Sequence, residues 1–585
     1  MMPAFLTQQP SRWHPFLPLH LTVAIASLLI VILPRSVRAQ ERLTTDLTIN
    51  QLIQQVLERN EGIQGRILEV AIARKKYQAE KGVFEPDFVA SYDRVENKRQ
   101  IGLQEKTLGQ VGQTFDEKNN VYNTGLEGLI PTGARIKLGY TLRDNLNNIN
   151  PAPFASPLDF LTNEWVSFAG ISATQPLLKN FGLTPNLAGV RLAALGSEIA
   201  FQEYRRQLMV LISTAEATYW NLYMAQEQML FFKESVAVAE SIRNDNQTKL
   251  KAGRGSELEV MESESGLALR KSKQADAREK FFEAMSRLTA LYGQSGSNRM
   301  VVAVDTPQVN DVPVSYNDSF LAATTLNPDY LGQLKKIASE NVRVAYARNQ
   351  RLPQLDLKAS YGLNGLGRDH DEALKDLERR DFPSWSVGLE LHIPLTGGIK
   401  TRSELDAAKL RQKQALVGLK EIETQVGSAI DVAERKIRAA QESVRSYETV
   451  VKYNQNLLEA QMARLQVGRV ESRKVLEVDA DLFEAKNSLL DAQVQFRRAL
   501  LELELIEGTL LKTRNLDLTQ RELESKTAML VRKGTITDQQ YADFIRQLQW
   551  QYQQKAELDT ATTERARRIL RESEQKLGPT PPNFK

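Results

Sequence analysis

The sequence contains no cysteine and only four histidines among 585 residues. The lack of cysteine excludes disulfides, zinc–thiolate sites, a thiol nucleophile and a lipid-modified N-terminal cysteine. His14 and His20 lie in the N-terminal segment, while His370 and His392 have no partner at the spacing of metal ligands. We therefore predict no metal site, no cofactor and no catalytic group, and we place His392 on the water-facing side of a strand.

The chain also lacks a strong excess of either charge. Its net charge is +4, and the first 39 residues contribute three arginines and no acid, so the remainder is almost neutral and indicates no nucleic-acid partner. No GxxxxGK phosphate loop occurs. Gly362, Gly365 and Gly367 are not in dinucleotide-binding order, and we predict a loop there.

Long apolar runs are missing apart from one near the N-terminus. Residues 21–33 are apolar and follow an arginine, and Ala39 before Gln40 fits the small-residue rule for signal cleavage. This run is shorter than the ~20 residues that a spanning helix needs. We predict a signal peptide over 1–39 rather than a retained anchor, and a mature chain without a transmembrane helix. If the mature chain crosses a membrane, it must do so as a closed β-barrel.

The chain contains the same order of elements twice. A helical pattern over about 48–82 stops before Pro86, where strand-like sequence begins, and a second pattern over about 317–350 stops before Pro353. Proline donates no backbone hydrogen bond and therefore marks each switch from helix to strand. The sequence indicates a duplicated domain rather than a solenoid.

The two strand regions alternate apolar and polar residues. The first, over about 84–177, ends near Pro176, and the second, over about 353–395, ends near Pro394. In the second region one face carries Trp385, Val387, Leu389, Leu391 and Ile393. This alternation suits a sheet with one lipid-facing and one wet face. The first region holds an extra hairpin. Loops predicted as extracellular tips lie at about 144–163 and 364–383.

A very long helical pattern follows each strand region. Apolar residues recur at alternating steps of three and four, which is the seven-residue repeat of coiled-coil packing. Residues 186–252 alone correspond to a helix of roughly 100 Å, at ~1.5 Å per residue. Each pattern reverses at a glycine turn, at Gly253 and at Gly468, so we predict two antiparallel helical hairpins.

These features divide the chain into five predicted segments. They are a signal peptide (1–39), a first repeat (40–294), a non-helical joint (295–316), a second repeat (317–512) and a C-terminal helical extension with a flexible tail (513–585). Each repeat contains a helix, strands and one long hairpin.

This order of elements resembles the TolC family of outer-membrane efflux and secretion proteins over about residues 45–512. The resemblance rests on Leu47-Thr48, Asn327-Pro328, the Pro-Leu ends of both strand regions, and Val475-Leu476 after the second tip. It implies a mainly α fold with a membrane β-barrel portion. The long coiled-coil hairpins would form a periplasmic tunnel, and the strands of three chains would close one shared barrel.

The resemblance also implies a function and partners. The chain would be an outer-membrane channel of a tripartite efflux or type I secretion system in a Gram-negative-type cell, a passive exit that catalyses nothing. It would form a homotrimer in outer-membrane lipid, joined through a periplasmic adaptor to an inner-membrane RND or ABC pump. The alternative is a periplasmic adaptor scaffold, which would share the hairpins but lack strands between paired prolines.

The family resemblance places candidate functional residues at the hairpin tips. The family carries two aspartates around a Val-Leu pair after the second tip, and here Lys474 takes the first place and Glu477 the second. Three residues apart, they share a helix face, and we predict a bridge between protomers that closes the entrance. Solvated surface residues are the alternative. The predicted gate comprises Lys474, Glu477, Glu259 and Glu262, and the predicted adaptor contacts are Gly253, Arg254, Gly468 and Arg469.

Overall fold

The computed structural model describes residues 44–100, 114–147, 162–293, 300–395 and 398–519, together with residues 522, 523 and 525. The predicted signal peptide and its cleavage site between Ala39 and Gln40 lie outside these residues. Most of the predicted loop at 144–163 and nearly all of the predicted C-terminal extension do as well.

Helices account for most of the described chain. In the first repeat they are α1 (Ile49–Arg59), α2 (Glu61–Lys81), α3 (Leu183–Asn186), α4 (Ala188–Lys251) and α5 (Glu257–Ala290). In the second they are α6 (Tyr316–Leu326), α7 (Pro328–Gln350), α8 (His370–Arg379), α9 (Ile399–Gln466), α10 (Ser472–Glu507) and α11 (Leu510–Thr513). The order found in the first repeat therefore recurs in the second.

Both helical segments that precede the strands are broken by an asparagine. The pattern predicts one helix over 48–82 and one over 317–350, and this is wrong in each case. Asn60 caps α2 by accepting from the Ile63 N–H, and Asn327 caps α7 by accepting from the N–H groups of the two residues that follow Pro328. A short amide side chain that satisfies free helix N–H groups favours a new helix start over continuation.

The strands form two sheets. They are β1 (Thr44–Leu47), β2 (Asp87–Gln100), β3 (Thr114–Leu129), β4 (Arg135–Asn147), β5 (Thr162–Pro176), β6 (Met300–Ala303), β7 (Gln354–Gly367) and β8 (Pro383–His392). A six-stranded antiparallel sheet has the order β2-β3-β4-β5-β7-β8, while β1 pairs in parallel with β6. The extra hairpin of the first repeat thus lies inside the large sheet, and β6 occupies part of the predicted joint.

The proline positions bound these strands. Pro86 precedes the first residue of β2, Pro353 precedes the first residue of β7, and Pro176 is the last residue of β5. Pro394 lies two residues beyond the end of β8. Proline is tolerated at strand ends because no ladder hydrogen bond is lost there.

One face of the large sheet carries an unbroken apolar row. Register pairs its members directly across all six strands, and each side chain is between 46% and 74% exposed. The row consists of Phe88, Leu126, Leu138, Ile171, Tyr361 and Trp385. Side chains alternate between the faces of a strand, so this face is apolar by construction.

The opposite face of the sheet is polar and contains a row of glycines. Cross-strand ion pairs lie on it, including Lys137 with Glu127 at 2.6 Å and Lys358 with Glu390. His392 lies on the same face and hydrogen-bonds to Glu390. Register also aligns four glycines there, Gly125, Gly139, Gly170 and Gly362. The predicted alternation of wet and apolar faces is therefore present.

The predicted loop at 364–383 is wrong, because β7 continues to Gly367 and α8 follows. The helix packs against β5 and β7, and a Cβ at Gly365 or Gly367 would collide with its backbone. These glycines therefore serve close approach of a helix to a strand. In the sequence they could not be told from turn glycines because the element that they admit comes later.

The four long helices form a wall. α4 packs with α5, α9 packs with α10, and α4 and α10 pack against each other, which gives the order α5-α4-α10-α9. A fully buried cluster joins these hairpins to the start of the first repeat, with Trp220 of α4, Phe281 of α5, Val494 of α10 and Leu47 of β1. The two copies of the duplication therefore share one core.

The chain after α10 is tied back to the wall. Arg514 donates to both carboxylate oxygens of Glu216, at 2.7 and 2.9 Å, and pairs with Glu504 at 3.2 Å. Burial raises the pKa of Glu504, and hydrogen bonding to Glu216 raises the pKa of Arg514. A bidentate pair of this kind fixes direction as well as distance.

Tyr219 of α4 holds the joint between the repeats. Its hydroxyl donates to the Leu47 carbonyl at 2.9 Å and accepts from the N–H groups of Val304 and Asp305 at 3.0 and 2.9 Å. The ring is fully buried, and desolvation raises the pKa of Tyr219 to about 12. One hydroxyl thus satisfies backbone groups at the C-terminal ends of both paired strands, β1 and β6.

We expect Tyr219→Phe to destabilise the protein by about 1–3 kcal/mol, because the Asp305 N–H loses its acceptor and the Val304 N–H keeps only its longer bond to the Leu47 carbonyl at 3.3 Å. Thermal unfolding of the detergent-solubilised protein, followed by circular dichroism, measures this. Tyr223→Phe is the control, since the described residues offer the Tyr223 hydroxyl no hydrogen bond. Equal melting temperatures for the two variants would contradict the role of Tyr219.

Candidate functional site

The first hairpin turns at a glycine in the left-handed region. α4 ends at Lys251, and Gly253 has φ of 66°. The Gly253 N–H donates to the Leu250 carbonyl and the Arg254 N–H donates to the Lys249 carbonyl, both at 2.9 Å. This is the Schellman pattern, in which glycine satisfies the last carbonyls of a helix without a steric penalty.

The second hairpin repeats the same turn. Gly468 has φ of 71° and donates to the Leu465 carbonyl at 3.1 Å, and Arg469 donates to the Arg464 carbonyl at 2.9 Å. A Cβ at either tip glycine would meet nothing within 4 Å. The tips therefore need glycine for backbone conformation and leave free space around it.

The two glutamates after the first tip have different structural roles. Glu259 forms a capping box with Ser256, in which its carboxylate accepts from the Ser256 N–H. Its side chain is therefore committed to starting α5. Glu262 lies almost one turn further along and is half-buried.

The predicted gate pair lies on the exposed side of α10. Lys474 Nζ is 3.2 Å from one Glu477 oxygen, and Arg473 Nε is 3.2 Å from the other. Hydrogen bonds from Lys474 and then Arg473 lower the pKa of Glu477. Lys474 and Glu477 do interact as their spacing predicts, but within one helix, and the share taken by Arg473 was not predicted. A bridge between protomers stays a prediction.

The Val-Leu pair beside them belongs to the packing between hairpins. Val475 is fully buried in a cluster with Ile242 of α4 and Leu465 of α9. Leu476 packs with the apolar cluster between α4 and α5, and its side chain lies next to Gly266. This pair therefore sets which face of α10 is left for Lys474 and Glu477.

Buried polar groups also connect the two hairpins near the tips. Asn246 of α4 is 2% exposed, and its amide donates to the Glu259 carbonyl at 3.1 Å. Its oxygen accepts from the Ser472 hydroxyl at 2.9 Å. One side chain thus ties both helices of the first hairpin to the first residue of α10.

A larger network lies deeper in the wall. Asp479 of α10 accepts from Ser235 at 2.6 Å and from two nitrogens of Arg270 at 3.1 and 3.2 Å. Arg270 also donates to the Leu476 carbonyl at 2.8 Å, and the two charged side chains are only 10% and 7% exposed. Sequence reasoning missed this network, although Arg270 falls three residues after Leu267 in an apolar seam and signals a buried partner.

The described residues contain no group of three or more His, Asp or Glu side chains that could hold a metal ion. In the same part of the chain, the helices all fall short of the length or the apolar content needed to cross a membrane.

Comparison with known proteins shows which family this chain resembles. Residues 323–509 match the profile of the outer membrane efflux protein family. The outer membrane protein TolC of Vibrio cholerae is 22% identical over 377 residues, which cover 64% of this chain and 82% of TolC. Over residues 323–509 the chain is thus similar to the outer membrane efflux protein family. Its localisation to the outer membrane and its role as an efflux channel follow, and the family consists of ducts rather than enzymes.

Two further proteins extend the comparison. The cation efflux system protein CusC of Escherichia coli is 20% identical over 296 residues, 50% of this chain and 63% of CusC. The crystal structure of the outer membrane protein VceC from Vibrio cholerae superposes with a TM-score of 0.54 at 15% identity, covering 79% of this chain and 96% of VceC. The predicted TolC-like fold class is confirmed.

We expect Arg270→Leu to cost about 3–5 kcal/mol, because it leaves the Asp479 carboxylate buried without a counter-charge and with the Ser235 hydroxyl as its remaining donor. Hydrogen exchange should accelerate in the tip-proximal turns of α5 and α10. The double variant Arg270→Leu/Asp479→Leu should recover most of the loss, since it removes both charges. Lys271→Ala is the control, because its pair with Glu240 is exposed and worth at most about 1 kcal/mol. Equal exchange in both single variants would refute the coupling.

Proposed function

We propose that three copies of this efflux protein assemble into one continuous duct that crosses the outer membrane and the periplasm. Solutes or polypeptides leave through it passively, delivered by an inner-membrane RND or ABC pump through a periplasmic adaptor. The observation that carries the proposal is the apolar row across all six strands of the sheet, next to a wall of helices about 100 Å long by helix geometry.

The sheet has the polarity that a membrane wall requires. The side chains of its apolar row are on average more than half exposed. Cytosolic and periplasmic sheets bury such a face against another layer. The other face carries ion pairs and glycines and suits contact with water. The apolar row therefore supports contact with lipid and the polar face supports a wet lumen.

The sheet and the wall both end on unpartnered edges. β2 and β8 are the edge strands, and each pairs on one side alone within the described chain. α5 and α9 are the end helices of the wall, and α9 exposes Leu416, Val417 and Tyr453. Unpaired strand edges and apolar helix faces are satisfied by the next copy. A ring of copies closes both, which supports the trimer.

The hairpin tips support the proposed adaptor contact. Gly253 and Gly468 end the two hairpins in identical turns, and each is followed at once by an exposed arginine, Arg254 or Arg469. The two tips are held together by Asn246 and Ser472. A partner that binds both tips therefore meets one coupled surface rather than two independent loops.

The whole proposal is tested by expressing the chain in a Gram-negative strain that lacks its own channel of this family. Restored toxin resistance, or restored release of a secreted protein, is the expected result, together with three-fold particles in electron microscopy of the solubilised protein. A monodisperse monomer in the inner-membrane fraction would contradict the duct and favour the adaptor scaffold.

We expect Gly468→Val to abolish export while channel trimers remain in the outer membrane. A β-branched residue at φ of 71° carries a strain of about 1–2 kcal/mol and so distorts the tip. Gly468→Asn is the matched control, since asparagine tolerates this backbone region. Toxin sensitivity and the outer-membrane protein level are measured together. Export by the valine variant at the parental rate would exclude the tip as a contact.

We expect Glu477→Gln to raise the open probability or to weaken cation selectivity in planar bilayers, because a ring of acids at the entrance is lost. Lys474→Asp should increase block by multivalent cations. Both effects should shrink at high salt, since the charges are exposed. Glu283→Gln, in an exposed pair of α5, is the control. Conductance like that of the parent in both gate variants would disprove the charged entrance.

The pH dependence of this gate follows from the pKa of Glu477. Because that pKa is lowered, the carboxylate stays ionised below its ordinary range and loses its charge only as the pH falls through the lowered value. Selectivity should therefore be the same at about pH 7 and about pH 5. A loss of selectivity near the ordinary glutamate pKa would show that Lys474 and Arg473 do not lower the pKa of Glu477.

A further inference from the structure

A shallow groove interrupts the apolar face of the large sheet. It has a volume of about 480 Å³, and its floor includes the backbone of Gly125, Gly139 and Gly170. Its apolar walls come from Leu138, Ile171, Tyr361 and Leu363, and Ala169 lies between them. Because most of these residues are on β4, β5 and β7, away from the sheet edges, a neighbouring copy that pairs with β2 or β8 leaves the groove open.

Helix α8 lies on the same face, beyond one end of the groove. Ser167 is two residues from Ala169 on β5, points to the same side, and donates from its hydroxyl to the Ala373 carbonyl of α8 at 2.8 Å. From Ile171 to Ser167 the strand advances roughly 13 Å, at ~3.3 Å per residue. Along β5, the apolar face therefore leads from the apolar row through the groove to the polar helix α8.

The acids at the start of α8 are engaged by the chain itself. Asp369 accepts from the Glu372 N–H at 2.8 Å, Glu372 accepts from the Arg368 N–H at 2.9 Å, and Asp376 accepts from the Leu366 N–H at 3.2 Å. Lys375 and Arg379 are different: they are exposed, lie one turn apart, and have no ion-pair partner among the residues that the structure describes.

One polar group at the groove is unsatisfied. The Tyr140 hydroxyl is shielded from water and has no hydrogen-bond partner within the described chain, while the ring of Tyr140 lines the groove. A buried hydroxyl without a partner is rare in folded proteins and indicates that a bound group completes it. The ester or amide oxygens of a lipid lie between its phosphate and its acyl chains and could accept this hydrogen bond.

We propose that the groove binds one phosphate-bearing lipid of the outer membrane per chain. An acyl chain fills the apolar floor over Ala169, and the phosphate pairs with Lys375 and Arg379 of α8. This proposal depends on the sheet facing lipid, as proposed above. It adds a specific site that retains one lipid. Lipids on a uniform apolar surface would instead exchange with the rest of the membrane.

Native mass spectrometry of the full chain, purified in mild detergent and titrated with phosphatidylglycerol, tests the site. The parent should retain one lipid per chain, and diacylglycerol, which lacks the phosphate, should bind more weakly. Ala169→Trp should lose the retained lipid, because the indole occupies the groove. Ala173→Trp is the control, on the same face of β5 but outside the groove. Lys375→Glu/Arg379→Glu should abolish the preference for phosphatidylglycerol.

Bilayer conductance of each variant separates the two proposals. If the parent and Ala169→Leu conduct alike and only the leucine variant loses lipid, both proposals stand, and this milder substitution excludes misfolding. Normal conductance with the same lipid count in the parent, Ala169→Leu and Ala173→Trp would overturn the lipid site and leave the duct intact. Failure of the parent to conduct would overturn the duct and, with it, the lipid site.

Discussion

The contact between α4 and α10 is the constraint on which the other parts of the structure depend. A helix of 64 or 68 residues cannot bury its own apolar seam, so each long helix needs a neighbour along its whole length. Each hairpin supplies one neighbour, and the α4–α10 contact supplies the next. The same contact brings both tips to one level and joins the two repeats through a shared core that includes Trp220 and Val494.

Polar residues in these seams give the wall its register. An apolar seam tolerates sliding because one alanine or leucine can replace the next, whereas a buried hydrogen bond is satisfied in one alignment alone. Asn246 with Ser472, and Arg270 with Asp479 and Ser235, impose that alignment near the tips.

The large sheet separates an apolar face from a polar face. In the proposed duct it presents lipid on one face and water on the other, and the period of two along each strand separates the two surfaces without further layers. The glycine row on the polar face makes room for the ring of Phe168, which lies over Gly170 and Gly362. On the apolar face, Gly365 and Gly367 admit α8, which caps the apolar band with charged groups.

The sequence by itself determined the repeated order of elements, the hairpins, the tip glycines and the alternation of the strands. These are local signals, because a heptad seam, a glycine in the left-handed region and a period of two are each written within a few neighbouring residues. Family likeness then made the outer-membrane channel the best interpretation. The spacing of Lys474 and Glu477 also predicted their interaction, since three residues along a helix set the distance.

Only the tertiary structure decided what depends on residues far apart in the chain. The place of the extra hairpin, the helix at 370–379 and the breaks at Asn60 and Asn327 required knowledge of what each segment packs against. The network of Arg270 with Asp479 joins residues more than 200 positions apart. A charge in an apolar seam shows that a partner exists, but its identity is set by the packing of α5 on α4 and of α4 on α10, which no local pattern contains.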